Sequence, residues 1–160
     1  MAILTNSGRI AIAQSVVSRP LHCAWGSGNA SWDTTPVQET ISETALVAEV
    51  GRRLVSQVKY VTPDVAGTII VPTGTFSESV TPTKHVYMKF LFEYADAPTA
   101  TIREAAVFVG STTNPSLPAG QMYFNPADVV SAGTLLVIQR FTKIIRSNSV
   151  RQQFEFVVTF

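Results

Sequence analysis

The sequence is short of charged residues, contains a single cysteine and has no long apolar run. Its 12 Lys and Arg and 11 Asp and Glu make up 14% of 160 residues, whereas a typical soluble domain has about 25% charged residues. The net charge of +1 argues against a nucleic-acid partner bound through counterion release. One cysteine excludes an internal disulfide and a zinc site built on cysteines. Because no stretch of about 18 apolar residues is present, we expect no membrane partner.

Neutral hydroxyl side chains take the place of the missing charges, with 18 Thr and 14 Ser. Two interpretations of this composition remain open. Either a β-rich domain covers its solvent face with these residues, or much of the surface lies against partners. The second is physically reasonable because interface cores are depleted of charge and a net charge near zero favours association.

Hydrophobic periodicity predicts two short helices followed by about seven strands. Residues 6–18 carry a helical stripe that ends before Pro20. A second helix is predicted from Thr40 to Gly51, since Thr40 and Glu43 match the capping-box pattern. Helices that are segregated from most of the strands indicate an α+β fold, mainly antiparallel β, as a sheet or sandwich. We expect one domain over residues 1–160, with a helical portion at 1–50 and a β-rich portion at 51–160.

The clearest strand pattern covers residues 84–94, where apolar and polar side chains alternate. The last strand, residues 152–160, alternates in the same way. We predict that one face of each strand forms the central buried core, made by Val86, Met88, Phe90, Phe92, Tyr94, Phe154, Phe156 and Val158.

Residues suited to catalysis are few. A cysteine nucleophile would need a histidine base, but His22 and Cys23 are neighbours on a predicted strand and point to opposite faces. His85 remains as a distant candidate base, and a buried structural Cys23 is the simpler interpretation. The aspartates stand singly beside turn residues. We therefore expect no enzyme activity, no metal and no cofactor.

Two features are candidates for an interface. Trp25 and Trp32 bracket a flexible loop, and either pack on the core or present a tryptophan to a partner, where tryptophan is enriched at hot spots. The long loop at 110–127 carries Met122, Tyr123 and Phe124, which a free loop would not usually expose. These three residues either contact a partner or fold back onto their own domain.

A further run, residues 102–109, places Arg103 and Glu104 directly before a segment that is apolar on both faces. Runs of this kind are typical of strands covered on both sides.

The order of several short motifs resembles small proteins from the tail and baseplate modules of tailed bacteriophages. The motifs are Leu4…Gly8-Arg9…Ala13, Leu21…Trp25-Gly26-Ser27-Gly28…Trp32-Asp33, Gly51-Arg52-Arg53, Tyr60-Val61-Thr62-Pro63-Asp64, Ile102-Arg103-Glu104…Val107-Phe108 and Val150-Arg151-Gln152-Gln153-Phe154-Glu155-Phe156. The Ile102-Arg103-Glu104 run is also similar to one in the attachment domains of phage tail-fibre proteins. The resemblance spans most of the chain.

The resemblance implies a non-enzymatic virion protein that joins neighbouring components of a tail or baseplate in a symmetric assembly, with contractile tails as the closest fit. Its expected partners are other tail and baseplate proteins and copies of itself, and its expected location is the phage tail, after synthesis in the host cytoplasm. Two alternatives remain open: a head-to-tail neck connector, and a glycan-binding β-sandwich in which Trp25 or Trp32 stacks on a sugar.

Overall fold

The computed structural model describes all 160 residues, which form one α-helix, two short 3-10 helices and twelve strands. In chain order these are α1 (Asn6–Val17), β1 (Leu21–Gly26), a 3-10 helix (Ala30–Asp33), β2 (Glu49–Leu54), β3 (Gln57–Pro63), β4 (Ile69–Val71), β5 (Gly74–Ser79), β6 (His85–Phe92), β7 (Thr101–Val109), β8 (Thr112–Thr113), β9 (Tyr123–Phe124), a 3-10 helix (Pro126–Asp128), β10 (Val129–Ser131), β11 (Thr134–Ile145) and β12 (Gln152–Thr159).

The first predicted helix is present as α1. Thr5 caps it, since its hydroxyl accepts the N–H of Gly8 at 3.2 Å. Ala13 and Val16 are its buried residues, and the chain leaves the helix just before Pro20, as expected from the restriction on the residue before a proline. No helix in the structure has the length and apolar character needed to cross a membrane.

The second predicted helix, from Thr40 to Gly51, is wrong. Residues 40–48 have no regular structure, and β2 begins at Glu49. The Glu43 carboxylate pairs with Arg140 at 2.9 Å instead of capping a helix, and Leu46 packs against the buried cluster of Ala24, Ala106 and Phe108. Long-range contacts therefore override a capping pattern that is worth about 1 kcal/mol.

The chain divides into two compact units. Unit 1 consists of Met1–Arg19, Val55–Phe90 and Gln153–Phe160 and is built on a five-stranded sheet in the order β12-β6-β3-β5-β4. Along β6 the side chains of Val86, Met88 and Phe90 are fully buried, and the Phe90 ring meets the edge of Phe156. A separate cluster is formed by Val61, Val71, Phe76 and Tyr87, with Ile69 and Val157 packed against it.

Unit 2 consists of Pro20–Leu54 and Leu91–Gln152. Its five-stranded sheet has the order β11-β7-β1-β2-β9, and every pairing in it is antiparallel. β8 and β10 form a small antiparallel pair. All six residues of β1 are buried, and β7 is buried from Glu104 to Val109. These central strands confirm the expectation of a run covered on both faces.

A mainly antiparallel β fold is confirmed, with one α-helix instead of two and twelve strands instead of about seven. Three of the extra strands (β8, β9 and β10) are two or three residues long and follow residue 110, where no periodicity is visible in so short a run. In addition, the alternating run that starts at Arg53 is divided between two strands, β2 and β3. The predicted alternation over residues 84–94 is confirmed up to Phe92, while Tyr94 lies beyond β6 and is 45% exposed. The single domain, with portions at 1–50 and 51–160, stays a prediction.

Candidate functional site

The first candidate residue, Trp25, lies at the centre of an aromatic cluster in unit 2. Its ring stacks on Phe92 with centroids 3.7 Å apart, and its indole N–H donates to the Tyr123 hydroxyl at 3.2 Å. The Arg146 guanidinium also lies over the Trp25 ring, 5.1 Å from its centroid. Because Trp25 is fully buried, its side chain serves the core of its own unit.

Arg146 is held over Trp25 by backbone groups. It is 4% exposed, and its guanidinium donates to the carbonyl of Val150 at 2.7 Å and to that of Glu93 at 2.9 Å. Burial lowers the pKa of this group, which nevertheless stays cationic because an arginine does not lose its proton in proteins. A cation that lies over an aromatic face without bulk water is attracted to it strongly.

The second tryptophan, Trp32, is fixed from β11. It belongs to the 3-10 helix Ala30–Asp33 and is 5% exposed. The Arg140 guanidinium lies 4.9 Å from its ring centroid and also pairs with Glu43 at 2.9 Å. The Arg140 backbone N–H donates to the Glu39 carboxylate. One β11 residue therefore holds both the tryptophan and the chain that follows it.

The Arg103-Glu104 pair anchors both ends of residues 27–48, which we call the connecting segment. At one end, Arg103 donates to Asp33 at 2.6 Å and to the Ser27 carbonyl at 2.9 Å. At the other end the fully buried Glu104 carboxylate accepts the N–H groups of Val47 at 3.2 Å and Ala48 at 3.0 Å. The two side chains project to opposite sides of β7, as successive residues of a strand must.

Asp33 receives a second cation from β11. Lys143 donates to its carboxylate at 3.0 Å, and together with the shorter bond from Arg103 lowers the pKa of Asp33 to about 2. The first cause is the hydrogen bond from Arg103, followed by that from Lys143. The carboxylate is therefore ionised throughout the physiological range, and the connection stays intact.

A fourth arginine, Arg52, joins β2 to the chain at Ser111 and Ala132. Arg52 is 1% exposed and binds both oxygens of Glu49 at 2.8 Å. It also donates to the Ser111 hydroxyl at 2.9 Å and the Ala132 carbonyl at 3.0 Å, and lies over the Phe108 ring. The fork geometry of a guanidinium suits this task, because it supplies five donors in one plane.

The three bulky residues of the 110–127 loop fold onto unit 2. The Met122 carbonyl accepts the N–H of Leu54 at 2.9 Å, and Tyr123 and Phe124 form β9 beside β2. Phe124 is 6% exposed, and Tyr123 passes so close to Gly51 that a Cβ there would lie 2.1 Å from its hydroxyl oxygen. Of the two alternatives for this loop, the structure favours folding back.

The assignment of Trp25, Trp32, Met122, Tyr123 and Phe124 to an interface stays a prediction. All five side chains lie within unit 2, and only Met122 and Tyr123 are more than slightly exposed. The arginines over the aromatic rings were missed by sequence reasoning. No spacing rule links Arg52 to Phe108, Arg140 to Trp32 or Arg146 to Trp25, whereas the Arg103-Glu104 pair was visible as a motif.

Each candidate catalytic residue is either buried in unit 2 or hydrogen-bonded to another side chain. Cys23 is fully buried, and burial raises the pKa of its thiol. His22 is 3% exposed, and burial, followed by the charge of Arg52, lowers its pKa to about 4. The His85 ring shares a 2.7 Å hydrogen bond with the Thr159 hydroxyl. No group of three or more His, Cys, Asp or Glu side chains lies close enough together to hold a metal ion.

Comparison with protein families decides the class of protein. A family model described as "Baseplate wedge 3 tail fiber network component" matches residues 1–160. The chain belongs to this family. The resemblance to phage tail and baseplate proteins is thereby confirmed over the full sequence. No curated protein matches the sequence.

Proposed function

We propose that this baseplate wedge family member is a non-enzymatic virion protein that joins neighbouring components of a contractile tail in a symmetric assembly. The observation that carries the proposal is the family match over all 160 residues. Its partners are other baseplate proteins and copies of itself, and neither nucleic acid nor membrane takes part. The protein is made in the host cytoplasm and ends in the virion tail.

The burial of reactive groups supports a non-enzymatic role. A thiol with a raised pKa is a poor nucleophile because the thiolate is the reactive form, and Cys23 lies inside β1. The arginines that could bind an anionic substrate are occupied by carboxylates and carbonyls of their own unit, as shown for Arg52, Arg103 and Arg146.

The surface supports a role in assembly. Several large apolar side chains are well exposed in spite of the compact cores, and exposed apolar surface is where partners bind. They include Ile3, Ile41, Val47, Val65, Ile70, Val80, Val130 and Ile145.

The two alternatives lose support. A glycan-binding module would need an exposed tryptophan, but Trp25 and Trp32 are 0% and 5% exposed. A neck connector would belong to the other end of the tail, whereas the family description places its members in the baseplate wedge.

The experiment is complementation of a phage that lacks this chain. A triple variant, Cys23→Ala, His22→Asn and His85→Asn, removes every candidate nucleophile and base while preserving side-chain size approximately. We expect complete baseplates in electron micrographs and wild-type titres. A triple variant that melts like the wild type and enters particles, but yields no infection, would show that the chain performs chemistry.

Two further variants, measured in the same complementation experiment, test the role in assembly. Ile41→Asp and Val80→Asp place charges on side chains that are 109% and 100% exposed, so neither should alter folding. If the chain joins baseplate components through its apolar surface, at least one of these variants should fold and yet fail to enter particles. Normal incorporation of both would remove these two positions from the interface.

A further inference from the structure

The sheet of unit 1 ends in two edge strands, β4 and β12. An edge strand presents unpaired N–H and C=O groups that act as a template for another strand. β4 has only three residues, whereas β12 has eight. β12 is therefore the edge of this sheet that is long enough to accept a partner strand.

β11, the long edge strand of the unit 2 sheet, has features that guard it, in the sense that they hinder another strand from pairing with it. In β11 the register breaks between Leu135 and Val137 and again between Arg140 and Ile144, and such irregularities disrupt a template. The Arg140 N–H is taken by Glu39, and Lys143 adds a charge. These are recognised means of preventing strand addition.

The second half of β12 carries no cation of the kind that guards β11. Residues 155–160 contain no Lys, Arg or Pro, and their one charge is held within unit 1, because the Glu155 carboxylate accepts the hydroxyl of Tyr87 at 2.9 Å and the amide of Gln153. This edge therefore carries a single charge, which is already hydrogen-bonded within unit 1.

The direction of the free backbone groups follows from one hydrogen bond. Phe160 donates its N–H to the Lys84 carbonyl at 3.0 Å. Lys84 directly precedes β6, the neighbour of β12 in the sheet, so this N–H points into the sheet. Backbone groups alternate in direction along a strand. Glu155, Val157 and Thr159 therefore direct their N–H and C=O groups away from the sheet, and we call these groups the β12 edge.

We propose that the β12 edge pairs antiparallel with the β12 edge of a second copy, about a two-fold axis at Val157. In this register Val157 lies opposite Val157 of the second copy, Phe156 opposite Val158, and Glu155 opposite Thr159. Three hydrogen-bonded residue pairs form, and their roughly six hydrogen bonds satisfy about six donors and about six acceptors that are otherwise left to water. Apolar residues meet apolar residues on one face, and a carboxylate meets a hydroxyl on the other.

Charge selects this register over its neighbours. A shift of two residues places the two Glu155 side chains on diagonal positions, and a shift of four places them directly opposite, where like charges are destabilising. A shift in the other direction leaves fewer residues of β12 paired, because the strand ends at Thr159. A second copy suits the site because its edge has the same length and the same alternation.

This inference rests on the self-association in the proposed function, and it names the surface responsible. The first experiment compares Val157→Pro with Val157→Ala by sedimentation equilibrium at concentrations up to about 1 mM. Both variants lose the packing of the valine side chain, but only the proline variant also lacks the outward N–H. The proline variant should still fold, because proline is tolerated on an edge strand where the N–H faces solvent. We expect the wild type and the alanine variant to dimerise, and the proline variant to bind at least about tenfold more weakly.

A second experiment does not depend on the folding of the proline variant. In a Cys23→Ala background, Val157→Cys should form an intermolecular disulfide on oxidation, because residues directly opposite lie about 5.5 Å apart at Cα, within the disulfide range. Thr159→Cys, on the same strand and face, is the control, since its copy lies about 14 Å away in this register. Equal cross-linking at the two positions, or none at 157, would overturn the register.

Two outcomes distinguish this inference from the proposed function. A proline variant that dimerises as strongly as the alanine variant moves self-association to another surface and leaves the assembly role intact. A wild type that stays monomeric throughout overturns the pairing, and incorporation into particles then decides the assembly role separately.

Discussion

Replacement of Glu104 tests the connection between β7 and the connecting segment. The carboxylate is fully buried and accepts the N–H groups of Val47 and Ala48. A hydrogen bond to a charged group contributes about 1.5–3 kcal/mol, so Glu104→Ala should lower the free energy of unfolding by about 3–6 kcal/mol. A loss of that size is a large part of a typical stability of about 5–15 kcal/mol.

Glu104→Gln is the matched control, because it preserves size and one acceptor oxygen but removes the charge. We expect roughly half the loss found for alanine. The global loss is measured by urea unfolding, and the local effect by amide hydrogen exchange, in which Val47 and Ala48 should lose protection more than β3 does. Unchanged protection at these two amides in Glu104→Ala, or a loss below about 1 kcal/mol, would refute the assigned role.

Three further predictions concern buried residues. Phe90→Ala should cost about 3–5 kcal/mol in urea unfolding, since Phe90 is fully buried, and a loss similar to that of the half-buried Phe156→Ala would place it outside the core. Cys23 should resist maleimide in the native protein and react fully in urea, because burial raises the pKa of its thiol; native labelling would contradict this. His22 has a folded-state pKa of about 4, below its usual 6.5, so the unfolded state binds more protons between these values and stability should fall by about 3 kcal/mol as the pH drops from 7 to 4. His22→Asn should lack this part of the pH dependence, and parallel profiles would refute the assignment.

Sequence reasoning succeeded where one local pattern was enough. The helix stripe of residues 6–18 and the alternation along β6 each repeat over several residues, so they identify an element and, for β6, its buried face. The same reasoning failed at residues 40–51, where the capping pattern of Thr40 and Glu43 is local but the deciding contacts, to Arg140 and Glu104, come from strands more than fifty residues away.

The aromatic candidates show a second limit. Trp25 and Trp32 are candidates because tryptophan is enriched at hot spots, and Tyr123 and Phe124 because a free loop seldom exposes bulky apolar side chains. The sequence does not show whether these side chains contact their own domain or a partner. Here Tyr123 and Phe124 pair with β2, and arginines cover both tryptophans, so these residues make contacts within their own unit that the sequence did not reveal.

The scarcity of charge acquires a more specific meaning once the ion pairs are known. At least seven of the 12 Lys and Arg side chains pair with carboxylates of the same chain, and Arg146 binds carbonyls. The surface therefore carries even fewer unpaired charges than the composition indicates. Unpaired charge is what keeps exposed apolar residues and strand edges from associating. Because most arginines of this chain bind groups of the chain itself, few unpaired charges remain to prevent association. This is consistent with a protein whose apolar surface and β12 edge become buried in an assembly.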